Sequence, residues 1–172
     1  MSELNLVCLN FDESYLLSQI ESNLCEILPT KIQGMDGKYN LNDFFHKERQ
    51  QYDAGRIIEA YKSENKKNKT ILLASIDLYI PIFTFVFGLA KLNGGTGIVS
   101  GHRLKNEYYG LSSDEDLLLS RLVKEIVHEF GHLLNLRHCL NYWCVMASSN
   151  TADDLDTKGY RFCGVCRDEL EY

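Results

Sequence analysis

The feature that most constrains this chain is a cluster of metal-binding residue types that begins at His128 and ends at Met146. His128 and His132 are four residues apart, so a helix would place both imidazoles on one face, one turn apart. Two imidazoles at this spacing can share one metal ion, and Glu129 would lie beside that ion without binding it. The fold must therefore present a helix to a metal site.

A third histidine requires the chain to turn. His138 follows His132 by six residues, and an unbroken helix would carry it well around the axis from His132. Asn135 is the predicted turn residue, because helices commonly end in a left-handed residue that is usually Gly and sometimes Asn. Three histidines leave one position of a tetrahedral zinc ion open, which is typical of catalytic zinc sites and not of structural ones.

Glu129 supplies what a hydrolytic zinc site needs in addition to ligands. Zinc lowers the pKa of its bound water to about 7, and a nearby carboxylate can take the proton as the water attacks a carbonyl. The short pattern H-E-x-x-H also occurs by chance on ordinary helices. Here His138, Asn135 and Met146 all agree with it, so the sequence favours a catalytic zinc site over two incidental histidines.

Four cysteines form two further pairs, C-x4-C at Cys139 and Cys144 and C-x-x-C at Cys163 and Cys166. This spacing is typical of a structural zinc ion held by four thiolates. Disulfides and four unligated thiols are the alternatives. The N-terminal segment has neither the basic start nor the long apolar run of a secretory signal, so we expect a cytoplasmic chain with reduced thiols and favour zinc.

Length and charge limit the remaining possibilities. A chain of 172 residues fits one domain with a hydrophobic core, and a formal charge of -6 argues against a nucleic-acid partner. The apolar run at 71–92 is interrupted by Asp77 and Pro81, so it predicts a buried strand followed by a buried helix or turn and no membrane span. The basic stretch at 62–69 is expected to be a solvated loop, and a monomer is favoured.

Hydropathy patterns predict an α/β (α+β) fold, with a twisted mixed β-sheet packed on the active-site helix and further helices. The predicted strands lie at 4–11, near 30–40, at 70–80 and at 95–104, and the predicted helices at 12–28, 43–63 and 112–135. Asp12 is the expected N-cap of the first helix, and Ser113 with Asp116 the expected capping box of the last. Strand 70–80 is nearly continuously apolar, as in strands covered on both faces.

The cluster resembles the metzincin metallopeptidases, whose motif H-E-x-x-H-x-x-G-x-x-H is followed by a Met-turn. It most closely resembles the archaemetzincin family, in which the third histidine continues as H-C-x4-C-x-M and C-x-x-C follows about seventeen residues later. Here sixteen residues separate Met146 from Cys163, and Asn135 replaces the usual Gly. The segments R-Q-Q-Y-D-A at 49–54 and F-V-F-G-L-A at 85–90 also resemble this family.

The resemblance implies a zinc metallopeptidase that acts on peptides or proteins, with an aminopeptidase-like preference as one option. It implies one catalytic domain over residues 1–172, with a four-cysteine segment at 139–166 and two Zn²⁺ per chain. The implied residues are His128, His132 and His138 for catalytic zinc, Glu129 as general base, and Cys139, Cys144, Cys163 and Cys166 for structural zinc. The alternative function is a catalytically weak, zinc-loaded module that binds peptides, although a pure binder has no need of Glu129.

Other expectations concern the surroundings of the site. In metzincins the edge strand before the active-site helix adds an extended substrate to the sheet, and residues 95–101 occupy that place here. Asp77 is either a partner of a zinc-bound histidine or a buried carboxylate bonded to backbone. No role is assigned to His46 and His102, expected on the surface, or to Cys8 and Cys25, expected as buried free cysteines.

Overall fold

Two mixed β-sheets and five α-helices make up residues 3–35, 39–62 and 68–170, the part of the chain that the computed structural model describes. The strands are β1 (Glu3–Cys8), β2 (Lys31–Met35), β3 (Phe45–His46), β4 (Gln51–Asp53), β5 (Lys69–Ala74), β6 (Leu78–Ile80), β7 (Phe83–Val86), β8 (Gly88–Ala90) and β9 (Thr96–Ser100). The helices are α1 (Leu17–Ile27), α2 (Ala54–Ala60), α3 (Glu115–Leu133), α4 (Ala152–Thr157) and α5 (Gly164–Glu169). The predicted α/β (α+β) class is confirmed.

The larger sheet has the strand order β2-β1-β5-β9-β8, in which four strands are parallel and β8 runs antiparallel at one edge. On its central strand β5, Ile71 and Leu73 pack into one hydrophobic cluster. Leu72 and Ala74 point to the opposite face and pack into another cluster. A strand covered on both faces needs a nearly continuous apolar sequence, so the predicted strand at 70–80 is confirmed as far as Ala74.

Helix α3 lies against one face of this sheet and contacts β5, β8 and β9. Its buried apolar residues recur three or four positions apart, which places them on the side that faces the sheet and α1. Each such side chain contributes about 1.5–3 kcal/mol when it is fully buried. The buried face consists of Leu118, Leu122, Val123, Ile126, Val127, Phe130 and Leu133. This packing holds the C-terminal turns of α3 beside the edge strand β8.

The N-cap of α3 is one residue later than predicted. The carboxylate of Asp114 accepts a hydrogen bond from the Leu117 N–H at 2.9 Å, so Asp114 takes the capping role assigned to Ser113. The predicted capping box is therefore wrong. Glu115 and Asp116 do provide the acidic first turn that suits the positive end of a helix dipole.

The start of α1 also differs from the prediction. A 3-10 turn at Ser14–Leu16 precedes the helix, and Leu16 is an N-cap without a side-chain hydrogen bond. The Asp12 N–H instead donates to Ser75 Oγ at 2.9 Å. The predicted cap at Asp12 is wrong because this contact with the segment after β5 holds Asp12 outside the helix.

The predicted helix at 43–63 is wrong over its first half, where a 3-10 turn leads into the hairpin of β3 and β4. Phe45 and Tyr52 pair across this hairpin with ring centroids 5.0 Å apart. Asp53 then caps the short helix α2 by accepting a hydrogen bond from the Arg56 N–H at 3.0 Å. Apolar spacing over a short window does not distinguish such cross-strand pairs from one face of a helix.

The apolar run at 71–92 crosses between the two sheets. Strand β5 ends at Ala74, β6 and β7 belong to the smaller sheet of order β3-β4-β6-β7, and β8 returns to the larger sheet. The helix predicted as one option after the strand is wrong, because β7 and β8 occupy that part of the run, whereas a turn at 81–82 does follow β6. Aromatic and β-branched residues at 83–86 favour the pleated strand surface. Among residues 3–35, 39–62 and 68–170, no helix is long and apolar enough to cross a membrane.

Strand β9 is internal, because it lies between β5 and β8. The predicted edge position of residues 95–101 is therefore wrong, and β8 is the edge strand beside α3. The strand predicted at 95–104 ends at Ser100, and a 3-10 turn follows at His102–Leu104. Sheet order depends on contacts between distant segments, which a local hydropathy pattern does not encode.

The remaining local predictions have mixed outcomes. The strand predicted near 30–40 is confirmed as β2, and residues 36–38 lie outside the described part. The predicted loop at 62–69 falls mainly on residues 63–67, which also lie outside it. Cys8 is buried as predicted, whereas Cys25 is exposed on α1, so its predicted burial is wrong.

Candidate active site and cysteine cluster

The last two turns of α3 bring His128 and His132 together, with their Nε2 atoms 3.1 Å apart. The Nδ1 atom of His128 lies 2.8 Å from the Val145 carbonyl, and that of His132 lies 2.8 Å from the Leu136 carbonyl. A carbonyl oxygen only accepts hydrogen bonds, so each Nδ1 carries the proton and donates it. Each Nε2 is then left with a free lone pair, which is the state that binds a metal.

A left-handed turn at Asn135 directs the chain back towards these two rings. Asn135 has φ +74°, its N–H donates to the His132 carbonyl, and the Leu136 N–H donates to the Gly131 carbonyl, each at 2.9 Å. This pair of bonds is the Schellman ending of a helix, so the predicted turn is confirmed. The ring centroid of His138 consequently lies 5.2 Å from that of His128 and 5.0 Å from that of His132.

The three imidazoles fit a zinc ion. Their nearest ring nitrogens all lie within 4.8 Å of one another, and a tetrahedral zinc ion would separate its nitrogen ligands by about 3.4 Å. Two lone pairs that face each other at 3.1 Å repel unless a cation lies between them. Burial lowers the pKa of each of the three imidazoles and so favours their neutral, metal-binding form.

Glu129 is buried beside this group, and its Oε2 has no hydrogen-bond partner among the described residues. Burial raises the pKa of Glu129 well above its ordinary value, and the nearby charge of Glu125 raises it further. A carboxyl group in a cleft with one unpartnered oxygen and a raised pKa is a candidate proton acceptor. Gly88 on β8 makes room for this side chain, because a Cβ there would lie 2.8 Å from Cγ and Oε1 of Glu129.

Lys158 is a buried residue of the site that sequence reasoning missed. Its Nζ donates to the Ala147 carbonyl at 3.0 Å and lies 3.4 Å from Nδ1 of His128. Burial lowers the pKa of Lys158, while the charges of Glu125 and Glu129 raise it, so an ammonium group at this position offsets the negative charge of the two carboxylates. Lys158 lies in a polar segment with no spacing signal that links it to His128, so only tertiary contacts reveal it.

Met146 lies in the hydrophobic core beneath the site and packs against Gly131 of α3. A Cβ at Gly131 would overlap the Met146 sulfur, so only glycine allows the methionine to come this close to the helix. The Met146 carbonyl accepts a hydrogen bond from the Cys139 N–H at 2.9 Å. The segment that follows His138 is thereby closed into a loop under the histidines.

The four cysteines predicted to form a second site converge. Sγ of Cys139 lies 3.8 Å from Sγ of Cys163, and Sγ of Cys144 lies 3.7 Å from Sγ of Cys166. A disulfide would bring two sulfurs to about 2.05 Å, whereas a zinc ion with four thiolates separates them by about 3.8 Å. The Cys163 N–H donates to Sγ of Cys144 at 3.3 Å, as expected for a thiolate acceptor. The donor set therefore fits a structural zinc ion.

A cleft of about 600 Å³ opens onto the histidines and Glu129. Strands β7 and β8 form one wall, and residues of α3 form the floor with part of the loop at 148–150. An edge strand presents backbone N–H and C=O groups that another extended chain can pair with. The wall residues are Ile80, Phe83, Thr84, Phe85, Val86, Phe87, Gly88, Leu89 and Ala90.

The other residues singled out in the sequence lie apart from both clusters. His46 packs against Tyr79, with ring centroids 5.7 Å apart, and His102 packs against Tyr108, with ring centroids 5.3 Å apart. Both histidines are half-buried. Both interpretations of Asp77 are wrong, because its carboxylate is bound by two side chains. They are Arg103, at 2.6 and 2.7 Å, and Gln51, at 3.2 Å.

A family model described as peptidase family M54 matches residues 26–172. The chain belongs to peptidase family M54. Two relatives support this assignment. The archaemetzincin of Saccharolobus solfataricus is 38% identical over 169 residues, covering 96% of this chain and 91% of the relative. The archaemetzincin of Methanocaldococcus jannaschii is 36% identical over 148 residues, covering 86% of this chain and 78% of the relative.

Solved structures give the same family. A zinc-dependent peptidase from Methanocorpusculum labreanum matches with TM-score 0.86 and 34% identity, over 97% of this chain and 99% of that one. The archaemetzincin of Archaeoglobus fulgidus matches with TM-score 0.84 and 28% identity, over the same shares of the two chains. The predicted archaemetzincin resemblance is confirmed, and this M54 peptidase is a zinc metallopeptidase, a hydrolase of peptide substrates.

Proposed function

We propose that this M54 peptidase holds its catalytic zinc through His128, His132 and His138 and uses Glu129 as the general base for peptide hydrolysis. The observation that carries the proposal is the convergence of three imidazole nitrogens beside a buried, unpartnered carboxyl oxygen. Carbonyl bonds to Nδ1 fix two of the rings with Nε2 directed at the common centre.

The residues of the chain divide the chemistry with the metal. When bound, zinc lowers the pKa of a water molecule to about 7 and polarises the peptide carbonyl. Glu129 accepts a proton from the attacking water at Oε2 and later delivers it to the amine nitrogen of the leaving product. The Lys158 ammonium offsets the charge of Glu129 and Glu125 in a region with little solvent screening.

An extended peptide would add to the outer edge of β8 through backbone hydrogen bonds. This places the substrate along Gly88–Ala90, directly beside Glu129. Backbone pairing gives affinity with little side-chain discrimination, so the peptide sequence would matter less than its extended shape. Whether the substrate also needs a free N-terminus is a separate question, and comparing peptides with free and acetylated N-termini decides whether the mode is aminopeptidase-like.

We further infer that the four cysteines hold a structural zinc ion, so that each chain carries two Zn²⁺. Four thiolates fill a tetrahedral ion and leave no position for water or substrate. Sulfur separations far above the disulfide length support reduced thiols and hence a cytoplasmic location. The net charge of -6 supports a peptide partner over nucleic acid, and residues 1–172 act in this proposal as one monomeric catalytic domain with the cysteine segment at 139–166.

Zinc content and peptide turnover of three proteins test the proposal together. The wild-type chain is expected to carry two zinc ions and to hydrolyse peptides. A His128→Ala, His132→Ala variant is expected to carry one zinc ion and to be inactive. Glu129→Gln is expected to keep both ions while kcat falls by about 10²–10⁴-fold, because only the proton acceptor is lost.

Glu48→Gln is the matched control, because Glu48 is exposed and outside the cleft. A histidine variant that still binds two zinc ions would contradict the ligand assignment. Turnover by Glu129→Gln at the wild-type rate would contradict the role of the base. Peptide binding without turnover by the zinc-loaded wild type would instead favour the peptide-binding module.

A further inference from the structure

One wall of the cleft contains a β-bulge. In the antiparallel pair of β6 and β7, Leu78 is opposite Val86 and Ile80 is opposite Phe83, so two residue steps on β6 face three on β7. The extra residue of a bulge falls out of the ladder and leaves backbone groups without their usual partners. The bulged residues Phe83–Val86 also line the cleft. The bulge therefore shapes the surface that a peptide would meet.

Two side chains of the segment R-Q-Q-Y-D-A bind the carbonyl groups of this bulge. Arg49 Nη2 donates to the carbonyls of Phe83 and Thr84 at 2.8 and 3.1 Å. Gln51 Nε2 donates to the Thr84 carbonyl at 2.9 Å. Both residues lie outside the set that lines the cleft, so their bonds to β7 affect the cleft indirectly.

These two side chains belong to a longer polar chain. Arg49 Nε donates to Gln51 Oε1 at 3.1 Å, and Gln51 Nε2 also donates to Asp77 Oδ2 at 3.2 Å. Arg103 then binds both oxygens of Asp77 through Nε and Nη2. The side chains of Asp77 and Arg103 are only 14% and 20% exposed, so solvent screens this ion pair weakly. Charge-assisted, bidentate bonds of this kind fix geometry more strictly than neutral ones.

Arg103, at the other end of this hydrogen-bond network, also contacts β7. The guanidinium carbon of Arg103 lies 4.3 Å from the ring centroid of Phe85, an arrangement that attracts the cation to the ring face. Phe85 in turn packs edge-on against Phe87, with centroids 5.2 Å apart. The network therefore holds the backbone of β7 at one end and an aromatic side chain of β7 at the other.

We propose that Arg49, Gln51, Asp77 and Arg103 form a bulge clamp, a set of positioning residues that fixes β7 in the shape required to bind substrate. This role rests on the proposed peptide cleft. Within the described part of the chain, no hydrogen bond joins the clamp to the three zinc-site histidines or to Glu129, so it acts on peptide binding and leaves the proton transfer unchanged. It also gives a function to Arg49 and Gln51 of the 49–54 motif, which do not take part in the proposed zinc site.

Gln51→Leu tests the clamp, with Gln33→Leu as the matched control. Leucine keeps the approximate volume of glutamine and removes the bonds of Gln51 to Thr84, Asp77 and Arg49. Gln33 is exposed on β2, an edge strand of the larger sheet. Loss of these bonds is expected to raise KM by about tenfold in Gln51→Leu. The kcat should stay within about twofold of wild type and the zinc content should not change.

Hydrogen exchange of the zinc-loaded protein gives a readout that needs no activity. The backbone amides of residues 83–87 are expected to exchange faster in Gln51→Leu than in wild type or Gln33→Leu. Arg49→Met should repeat the effect, and Arg49→Lys, which keeps a charged donor, should be intermediate. These two variants keep the test valid even if Gln51→Leu does not fold, because Arg49 is only half-buried.

Each outcome decides between the two proposals. Unchanged KM with unchanged exchange at 83–87 would overturn the clamp while the zinc peptidase mechanism stands. A fall in kcat at constant KM would also overturn it, because that pattern belongs to the catalytic base. If the wild-type protein does not hydrolyse peptides, the proposed function fails, and the exchange measurement alone still decides whether the clamp orders β7.

Discussion

Two glycines let the active-site helix approach its neighbours closely. Gly88 leaves space for the Glu129 side chain against the edge strand, and Gly131 leaves space for the Met146 sulfur under the histidines. At both positions the missing side chain matters more than backbone freedom, since neither glycine has positive φ. The position of the Glu129 side chain, the proposed base, therefore depends on a small residue that contributes no chemical group.

Gly88→Ala is expected to reduce catalysis without loss of metal. The added methyl group would lie 2.8 Å from Cγ of Glu129 and 3.0 Å from the Ile98 carbonyl, so the carboxylate must move. Displacement of a catalytic group by a fraction of an ångström or more lowers kcat by about ten- to a hundredfold. Steady-state kinetics and zinc analysis measure both quantities.

Gly55→Ala is the control, because a Cβ there makes only an ordinary contact at 3.4 Å and the position is helical. Wild-type kcat in Gly88→Ala would show that Glu129 does not depend on the space left by Gly88.

Helix α3 shows how the two ends of one element serve different purposes. Its N-terminus stabilises the helix, because the Asp114 carboxylate accepts a hydrogen bond from the Leu117 N–H and acidic residues occupy the first turn. Its C-terminus shapes the candidate active site, because the left-handed residue Asn135 reverses the chain and brings His138 back beside His132. Between these ends, the buried apolar face of the helix packs against the sheet and fixes its position.

Asp114→Ala is expected to lower the free energy of unfolding by about 1 kcal/mol, because the Leu117 N–H loses its capping acceptor. Ser113→Ala, at the position that the sequence pattern favoured, is expected to change it by less than about 0.5 kcal/mol. Urea denaturation of the zinc-loaded proteins, followed by circular dichroism, compares the two. Equal losses in both variants would contradict the assignment of Asp114 as the cap.

At the scale of the whole molecule, the cysteine cluster connects the loop after His138 to the C-terminal helix α5. Cys139 and Cys144 belong to the loop that passes under the active site, and Cys163 and Cys166 lie at the start of α5. The segment between these pairs also buries Val145, Met146 and Leu155 in the hydrophobic core, so packing contributes to its position. In the proposed function a structural zinc ion makes this connection.

Cys166→Ser is expected to lower the free energy of unfolding by about 3 kcal/mol or more, because structural zinc contributes about 10 kcal/mol in small metal-binding domains. Cys25→Ser is the control, since Cys25 is exposed on α1 and distant in sequence from the cluster. Thermal unfolding together with zinc analysis reads out both effects. Identical unfolding of the two variants would contradict a structural zinc ion at the cysteines.

Sequence patterns succeed here where the determining residues are neighbours along the chain. The turn at Asn135, the acidic start of α3 and the continuous apolar strand β5 all depend on residues within a few positions of one another. The helix prediction for 43–63 is wrong over its first half because Phe45 and Tyr52 pack against each other across a hairpin. A short apolar window is compatible with either arrangement.

The sequence by itself determined which residues are proposed as metal donors: the spacing of three histidines, a glutamate and two cysteine pairs predicts zinc sites before any fold is known. Only the tertiary structure decided what surrounds those donors. It made β8 the edge strand, brought Lys158 beside His128, and joined Asp77 to Arg103. The physical reason is that ligand spacing is a local property of the chain, whereas sheet order and buried charge pairing depend on which distant segments pack together.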